Sequence, residues 1–148
     1  MEENSESPIL LVEDSPEDYM MVKRAFKKTN VTNPLYRCEN GDDALDYLLH
    51  NGKYSDHSNS PRPSIILLDL NMPGTDGWEV LGFLKSNEKL RSIPVIVLTS
   101  SSDEIDINKC YEAGANSYIT KPVVFDSFIE SLKLLKEYWF KLSILPKG

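Results

Sequence analysis

The sequence predicts an α/β fold with five parallel strands and helices on both faces of the sheet. Three observations carry that prediction. Short aliphatic runs without polar interruption, such as Ile65-Ile66-Leu67-Leu68, recur along the chain. Strands of this kind are buried on both faces, as in parallel sheets. Stretches of helical period separate the runs in strict alternation, which is the pattern of βα units. The runs also end on polar residues, and beyond the carboxyl ends of parallel strands is where ligands bind.

Ile9-Leu10-Leu11-Val12 is the first strand. Ser15 caps the first helix, with Pro16 at its first position and Glu17 and Asp18 in its first turn; each suits a helix start. This helix is expected to run to Lys28 with Tyr19, Val22 and Phe26 inward. After turn residues from Asn30 to Pro34, Leu35 to Cys38 forms a second strand. Asn40-Gly41-Asp42 opens a helix that carries Ala44, Leu45, Leu48 and Leu49 inward and ends near His50-Asn51-Gly52. Gly52 to Arg62 is polar and reads as a long surface loop; His57 within it and His50 just before it are assigned to the solvated surface. Ser64 to Asp69 is the central strand. Asp76-Gly77 starts a helix with Val80, Leu81 and Leu84 inward. Ile93 to Leu98 is the fourth strand and Asp103 to Ala113 the fourth helix, stopped by Gly114. Asn116 to Thr120 is the fifth strand, and a last helix spans Phe125 to Leu142.

The chain has 148 residues and a formal net charge of −7. Residues 1–8 read as an extended or disordered lead and residues 9–148 as one domain. The acidic balance argues against nucleic acid as a partner. No apolar run is long enough for a membrane span. The N-terminus lacks the basic and apolar character of a secretory signal, so a cytoplasmic location is expected. Cys38 and Cys110 have no zinc-type spacing and read as reduced thiols.

The strand ends form a coherent set. The first delivers Glu13 and Asp14, the third Asp69, the fourth Thr99 and the fifth Lys121. Three carboxylates in one cleft repel each other unless a cation sits among them.

Four motifs occupy these ends: VEDS at Val12–Ser15, LLDLNMPGTDG at Leu67–Gly77, VLTSS at Val97–Ser101 and YITKP at Tyr118–Pro122. In this order they resemble the receiver domain of two-component response regulators, over Ile9 to Leu135. The arrangement is also similar to the stand-alone regulators that serve bacterial and cyanobacterial phytochromes. The resemblance implies a flavodoxin-like (βα)5 fold and a phosphoryl group accepted on Asp69 from a sensor histidine kinase, with a phytochrome as the candidate. It implies Mg²⁺ held by Glu13, Asp14, Asp69 and the backbone carbonyl of Asn71. Lys121 would pair with Asp69 and then with the phosphoryl group, and Thr99 would donate its hydroxyl to that group. Thr99 and Tyr118 would form the switch that alters the surface of the fourth helix, fifth strand and fifth helix. Asn71 and Ser101 would set the lifetime of the aspartyl phosphate, and Lys121-Pro122 is a candidate cis peptide. The chain would assist its own phosphorylation and dephosphorylation without being a turnover enzyme.

Two alternatives stand beside this reading. An aspartate-dependent phosphatase needs a second acid two residues after the nucleophile, where Asn71 stands. An interaction module incapable of phosphorylation would lack some of the set. A nucleotide- or flavin-binding module is disfavoured, because VEDSPED replaces the glycine-rich turn that follows the first strand in such folds. The last helix carries one core stripe of Phe125, Phe128, Ile129, Leu132, Leu135 and Trp139, while Leu134, Tyr138, Leu142 and Leu145 fall off it. A helix apolar on more than one side buries more than one side, so Tyr138, Leu142 and Leu145 are expected at a homodimer contact.

Overall fold

Hydrophobic parity along the strands builds three layers. The computed structural model describes residues 7–70, 72, 76–99, 103–120 and 125–135. In it β1 (Ile9–Val12), β2 (Leu35–Cys38), β3 (Ile65–Asp69), β4 (Val95–Thr99) and β5 (Ser117–Thr120) form one sheet, in the order β2-β1-β3-β4-β5 with every pair parallel. Side chains alternate between faces with period two. Ile9, Leu11, Ile65, Leu67, Ile96 and Leu98 therefore share one core, under α1 (Pro16–Lys28) and α5 (Phe125–Leu135). Leu10, Val12, Ile66, Leu68, Val95 and Val97 share the other, under α2 (Gly41–Leu49), α3 (Gly77–Ser86) and α4 (Glu104–Glu112). Each such side chain, fully buried, contributes roughly 1.5–3 kcal/mol.

The helix starts follow from side-chain chemistry. Ser15, Asn40, Asp76 and Asp103 accept hydrogen bonds from the N–H groups of Asp18, Asp43, Glu79 and Ile105 at 3.2, 2.8, 3.0 and 2.9 Å. Each cap is worth about 1 kcal/mol. α4 ends as its glycine requires: Gly114 adopts φ +106°, where a Cβ would be strained. α2 ends instead on His50 in the left-handed region, at φ 58°.

Two expectations are modified. Leu49 was expected inside but is 45% exposed, because Ala44, Tyr47 and Leu48 form the inward stripe of α2. Residues 52–62 are more ordered than a plain loop. They contain single 3₁₀ turns at Gly52–Tyr54 and His57–Asn59, and Ser60 is fully buried. Tyr47 donates to Pro61 O at 2.8 Å and its ring meets Tyr54 edge-on, so this segment packs beside α2. His50 and His57 stack at 3.7 Å between ring centroids, and His50 Nδ1 lies 3.0 Å from Ser60 Oγ. Ser7 and Pro8 are tied to the sheet, which neither confirms nor overturns the extended or disordered lead expected over residues 1–8. Asn33 donates to Ser7 O at 2.9 Å and Ser64 N to Pro8 O at 2.8 Å. On α5, Phe128, Ile129 and Leu132 are buried while Leu134 is 73% exposed. No helix among the described residues is long and apolar enough to cross a membrane.

Candidate functional site

β1 and β3 are neighbours, with Val12 opposite Leu68, so the residues that follow them, Glu13 and Asp69, emerge side by side. Strand order changes direction at this pair, which opens a crevice at the carboxyl edge of the sheet. Glu13 and Asp69 are buried and Asp14 is exposed at the mouth. One carboxylate oxygen of each lies within 4.8 Å of the others. For the buried pair Glu13 and Asp69, ionised carboxylates at that separation and an effective dielectric near 20 repel by about 3.5 kcal/mol; the pairs with the exposed Asp14 cost less because water screens them. Hard oxygen donors, few in number and open to water on the Asp14 side, match the coordination that Mg²⁺ takes. Glu13, Asp14 and Asp69 would hold such an ion.

The loop that presents Glu13 and Asp14 is held from three sides. Glu13 N donates to Cys38 O at 3.0 Å, which extends the β1–β2 pairing by one residue. Ser15 N donates to Glu13 Oε2 at 3.3 Å. Arg37, on the edge strand β2, donates from Nε to Glu13 O at 3.1 Å and from Nη2 to Asp14 O at 3.3 Å. Its guanidinium also lies 4.6 Å from the centre of the Tyr19 ring and 3.5 Å from Glu39 Oε1. The sequence reading missed Arg37; its one signal is a cation in an otherwise uncharged strand.

The Asp69 backbone is fixed by a close approach of α3. Gly77 N donates to Leu70 O at 3.3 Å. A Cβ on Gly77 would stand 2.9 Å from Asp69 C and closer still to Asp69 O and Leu70 Cα. Only glycine fits there, a packing demand beyond the helix-start role expected for Asp76-Gly77.

Thr99 ends β4, one residue past Leu98, the partner of Asp69, and is buried. Tyr118 lies opposite Val97 on β5, half-buried against the core under α2, α3 and α4. The structure thus brings Glu13, Asp14 and Asp69 together and places Thr99 at the same edge, on the adjacent strand. Asn71, Ser101, Lys121 and Pro122 lie outside the described residues, as do Tyr138, Leu142 and Leu145.

The flank beyond β2 is built for stability. Tyr54 donates to Asp43 Oδ1 at 2.8 Å, with its hydroxyl 3.8 Å from Cys38 Sγ. Burial, then the nearby Asp43 charge, pushes the Cys38 thiol up to about 12, so it remains protonated and inert. Burial followed by the hydrogen bond to Asp43 likewise pushes the Tyr54 hydroxyl up.

The family model of the response regulator receiver domain matches residues 9–133. The chain is 39% identical to the response regulator Rcp1 of Synechocystis over 145 residues, covering 98% of this chain and 97% of that protein. The crystal structure of Mn²⁺-bound Rcp1 superposes with a TM-score of 0.83 at 38% identity, covering 95% and 99% of the two chains. That of the phosphorylated cyanobacterial phytochrome response regulator RcpA gives 0.85 at 36%, covering 96% and 99%. Response regulator RPA3017, from red light signalling in R. palustris, gives 0.89 at 30%, with coverage of 96% and 99%. With its parallel order β2-β1-β3-β4-β5 and an acidic cleft at the β1–β3 crevice, the chain belongs to the response regulator receiver domain family.

Proposed function

We propose that Asp69 accepts a phosphoryl group from a phosphohistidine on a sensor histidine kinase, in a reaction that needs Mg²⁺ in the acidic cleft. The observation that carries this reading is the convergence of Glu13, Asp14 and Asp69 within 4.8 Å at the strand-order reversal. An Asp69 oxygen attacks phosphorus, the new P–O bond forms as the P–N bond breaks, and the imidazole leaves with its electron pair. Such transfers depend on positioning and charge neutralisation more than on nucleophile strength. Bound Mg²⁺ would neutralise phosphoryl oxygens, with the Asn71 carbonyl as a further ligand. Asp69 is buried and Asp14 exposed, so the phosphoryl donor is proposed to approach from the Asp14 side.

Lys121 supplies a mobile cation and Thr99 a hydroxyl to the transferred group. Thr99 moves toward that group, Tyr118 takes the space it leaves, and the surface formed by α4, β5 and α5 changes. Asn71 and Ser101 govern water access to the acyl phosphate. The likeness to Rcp1 and RcpA supports a phytochrome-type kinase as partner. The acidic net charge and the absence of a spanning helix among the described residues support a cytoplasmic protein that acts by protein contact. The exposure of Leu134 at 73% supports a homodimer contact that continues along Tyr138, Leu142 and Leu145.

The test is acetyl phosphate with Mg²⁺, followed by intact-mass measurement of wild type and Asp69→Asn. A phosphoryl adduct on wild type that requires Mg²⁺ and is absent from the variant is expected. Equal labelling of both proteins, or labelling unaffected by chelation, sinks the proposal. Sustained turnover of a phosphomonoester would favour the phosphatase alternative instead.

A further inference from the structure

We infer that Arg37, a residue of the edge strand outside the acidic cluster, is a positioning residue that holds Glu13 and Asp14 in their cation-binding arrangement by clamping their backbone carbonyls. The inference rests on the Mg²⁺ reading above and adds a residue to it.

The geometry uses what distinguishes a guanidinium from an ammonium. Nε and Nη2 diverge from one rigid plane, and they reach two successive carbonyls, Glu13 O at 3.1 Å and Asp14 O at 3.3 Å. Two bonds from one plane fix the orientation of both peptide units, and those units set where the two side chains start. Nη1 is drawn off by Glu39 Oε1 at 3.5 Å, and the plane lies over Tyr19 at 4.6 Å. The side chain of Arg37 is 16% exposed; its Nε bond to Glu13 O is partly buried, while its Nη2 bond to Asp14 O lies at the exposed mouth. The contacts come from the β2–α2 connection, the β1–α1 loop and α1, so the rotamer is fixed from three segments at once.

The loop needs such a clamp. Glu13 and Asp14 each repel Asp69 and one another across less than 4.8 Å, and a free loop would relieve that repulsion by swinging away. Among the described residues, the Ser15 N–H bond to Glu13 Oε2 orients one carboxylate, and no such bond orients that of Asp14. The Arg37 bond to Asp14 O holds that residue through its main chain. Partners that orient metal ligands without touching the metal typically contribute 10–100-fold in metal affinity. Acting through the main chain, Arg37 is expected at the low end of that range.

The experiment compares wild type, Arg37→Gln and Arg37→Lys in two measurements. Calorimetric titration with MgCl₂ gives affinity, and amide hydrogen exchange in the absence of metal gives the order of residues 13–15. Arg37→Gln is expected to bind Mg²⁺ about tenfold more weakly, with faster exchange at Asp14 and Ser15 and an unchanged thermal midpoint for the core. Arg37→Lys keeps the charge but lacks the fork and the stacking plane, and is expected to recover only part of the affinity. Unchanged affinity and exchange in Arg37→Gln overturns the inference while leaving the Mg²⁺ reading intact. Tighter binding in Arg37→Gln also overturns it, since Arg37 would then act as a competing charge. Failure of the wild type to bind Mg²⁺ defeats the reading beneath it.

Discussion

Replacing Gly77 by Ala tests whether close packing of α3 sets the position of Asp69. The added methyl would lie 2.9 Å from Asp69 C, whereas ordinary van der Waals contact begins at 3.4 Å, so the backbone must retreat by about 0.5 Å (3.4 − 2.9) along that line alone. The nearer contacts to Asp69 O and Leu70 Cα demand more, and both are main-chain atoms with no rotamer in which to escape. Overpacking of this kind costs roughly 1–3 kcal/mol. The helix-propensity gain of Ala over Gly, at most about 1 kcal/mol, offsets only part of it. A net loss of about 2 kcal/mol corresponds to a fall in Tm of roughly 4–8 °C for a chain of this size. Because the displaced residue is Asp69 itself, the initial rate of phosphorylation should fall about 10- to 100-fold, the range expected for misplacement approaching 1 Å. Scanning calorimetry measures the first quantity, and intact-mass labelling with acetyl phosphate and Mg²⁺ measures the second. Gly82→Ala is the matched control: it lies in the same helix, and a Cβ there meets nothing within 4 Å. It should retain the wild-type rate and gain up to about 1 kcal/mol. A Gly77→Ala protein with the Tm and labelling rate of wild type would refute the reasoning.

Three further predictions concern the thiols and the C-terminal helix. Cys38 and Cys110 are buried with raised pKa values, so neither should react with iodoacetamide at neutral pH until the chain is unfolded by urea; native modification of Cys38 at the unfolded rate would contradict the buried, protonated thiol. The folded Cys38 pKa lies near 12, above the ordinary 9.0, so its contribution to stability is full below pH 9 and is lost as pH rises from 9 toward 12. Urea midpoints measured from pH 8 to 10 should decline, and less steeply in Cys38→Ala. Sedimentation of the full chain and of a chain ending at Glu137 should give dimer and monomer respectively; a monomeric full chain at micromolar concentration would end the homodimer proposal.

Much of the fold was legible because a buried parallel strand leaves a plain mark. Ile9–Val12, Ile65–Leu68 and Val95–Leu98 are apolar without alternation, and each was placed within a residue or two of its observed bounds. The caps at Ser15, Asn40, Asp76 and Asp103 were legible in part for a similar reason, since the chemistry is local to one turn. Leu49 was misplaced because its neighbour Tyr47 is amphipathic: its ring is buried while its hydroxyl bonds to Pro61 O. The order in residues 52–62 was hidden because its anchors are polar and distant. Tyr54 reaches Asp43 eleven positions back, and Ser60 reaches His50, pairings that no short-range pattern marks.

By itself the sequence determined the strand-and-helix alternation and the set of acids at the strand ends, because burial and capping are read over a few residues. Only the tertiary structure decided that Glu13 is fully buried while Asp14 meets solvent, that Arg37 clamps the main chain between them, and that Gly77 is needed for its missing Cβ. Those facts depend on which strands are neighbours and how near two backbones come. Such distances arise between residues far apart in the chain, and no local pattern of side chains encodes them.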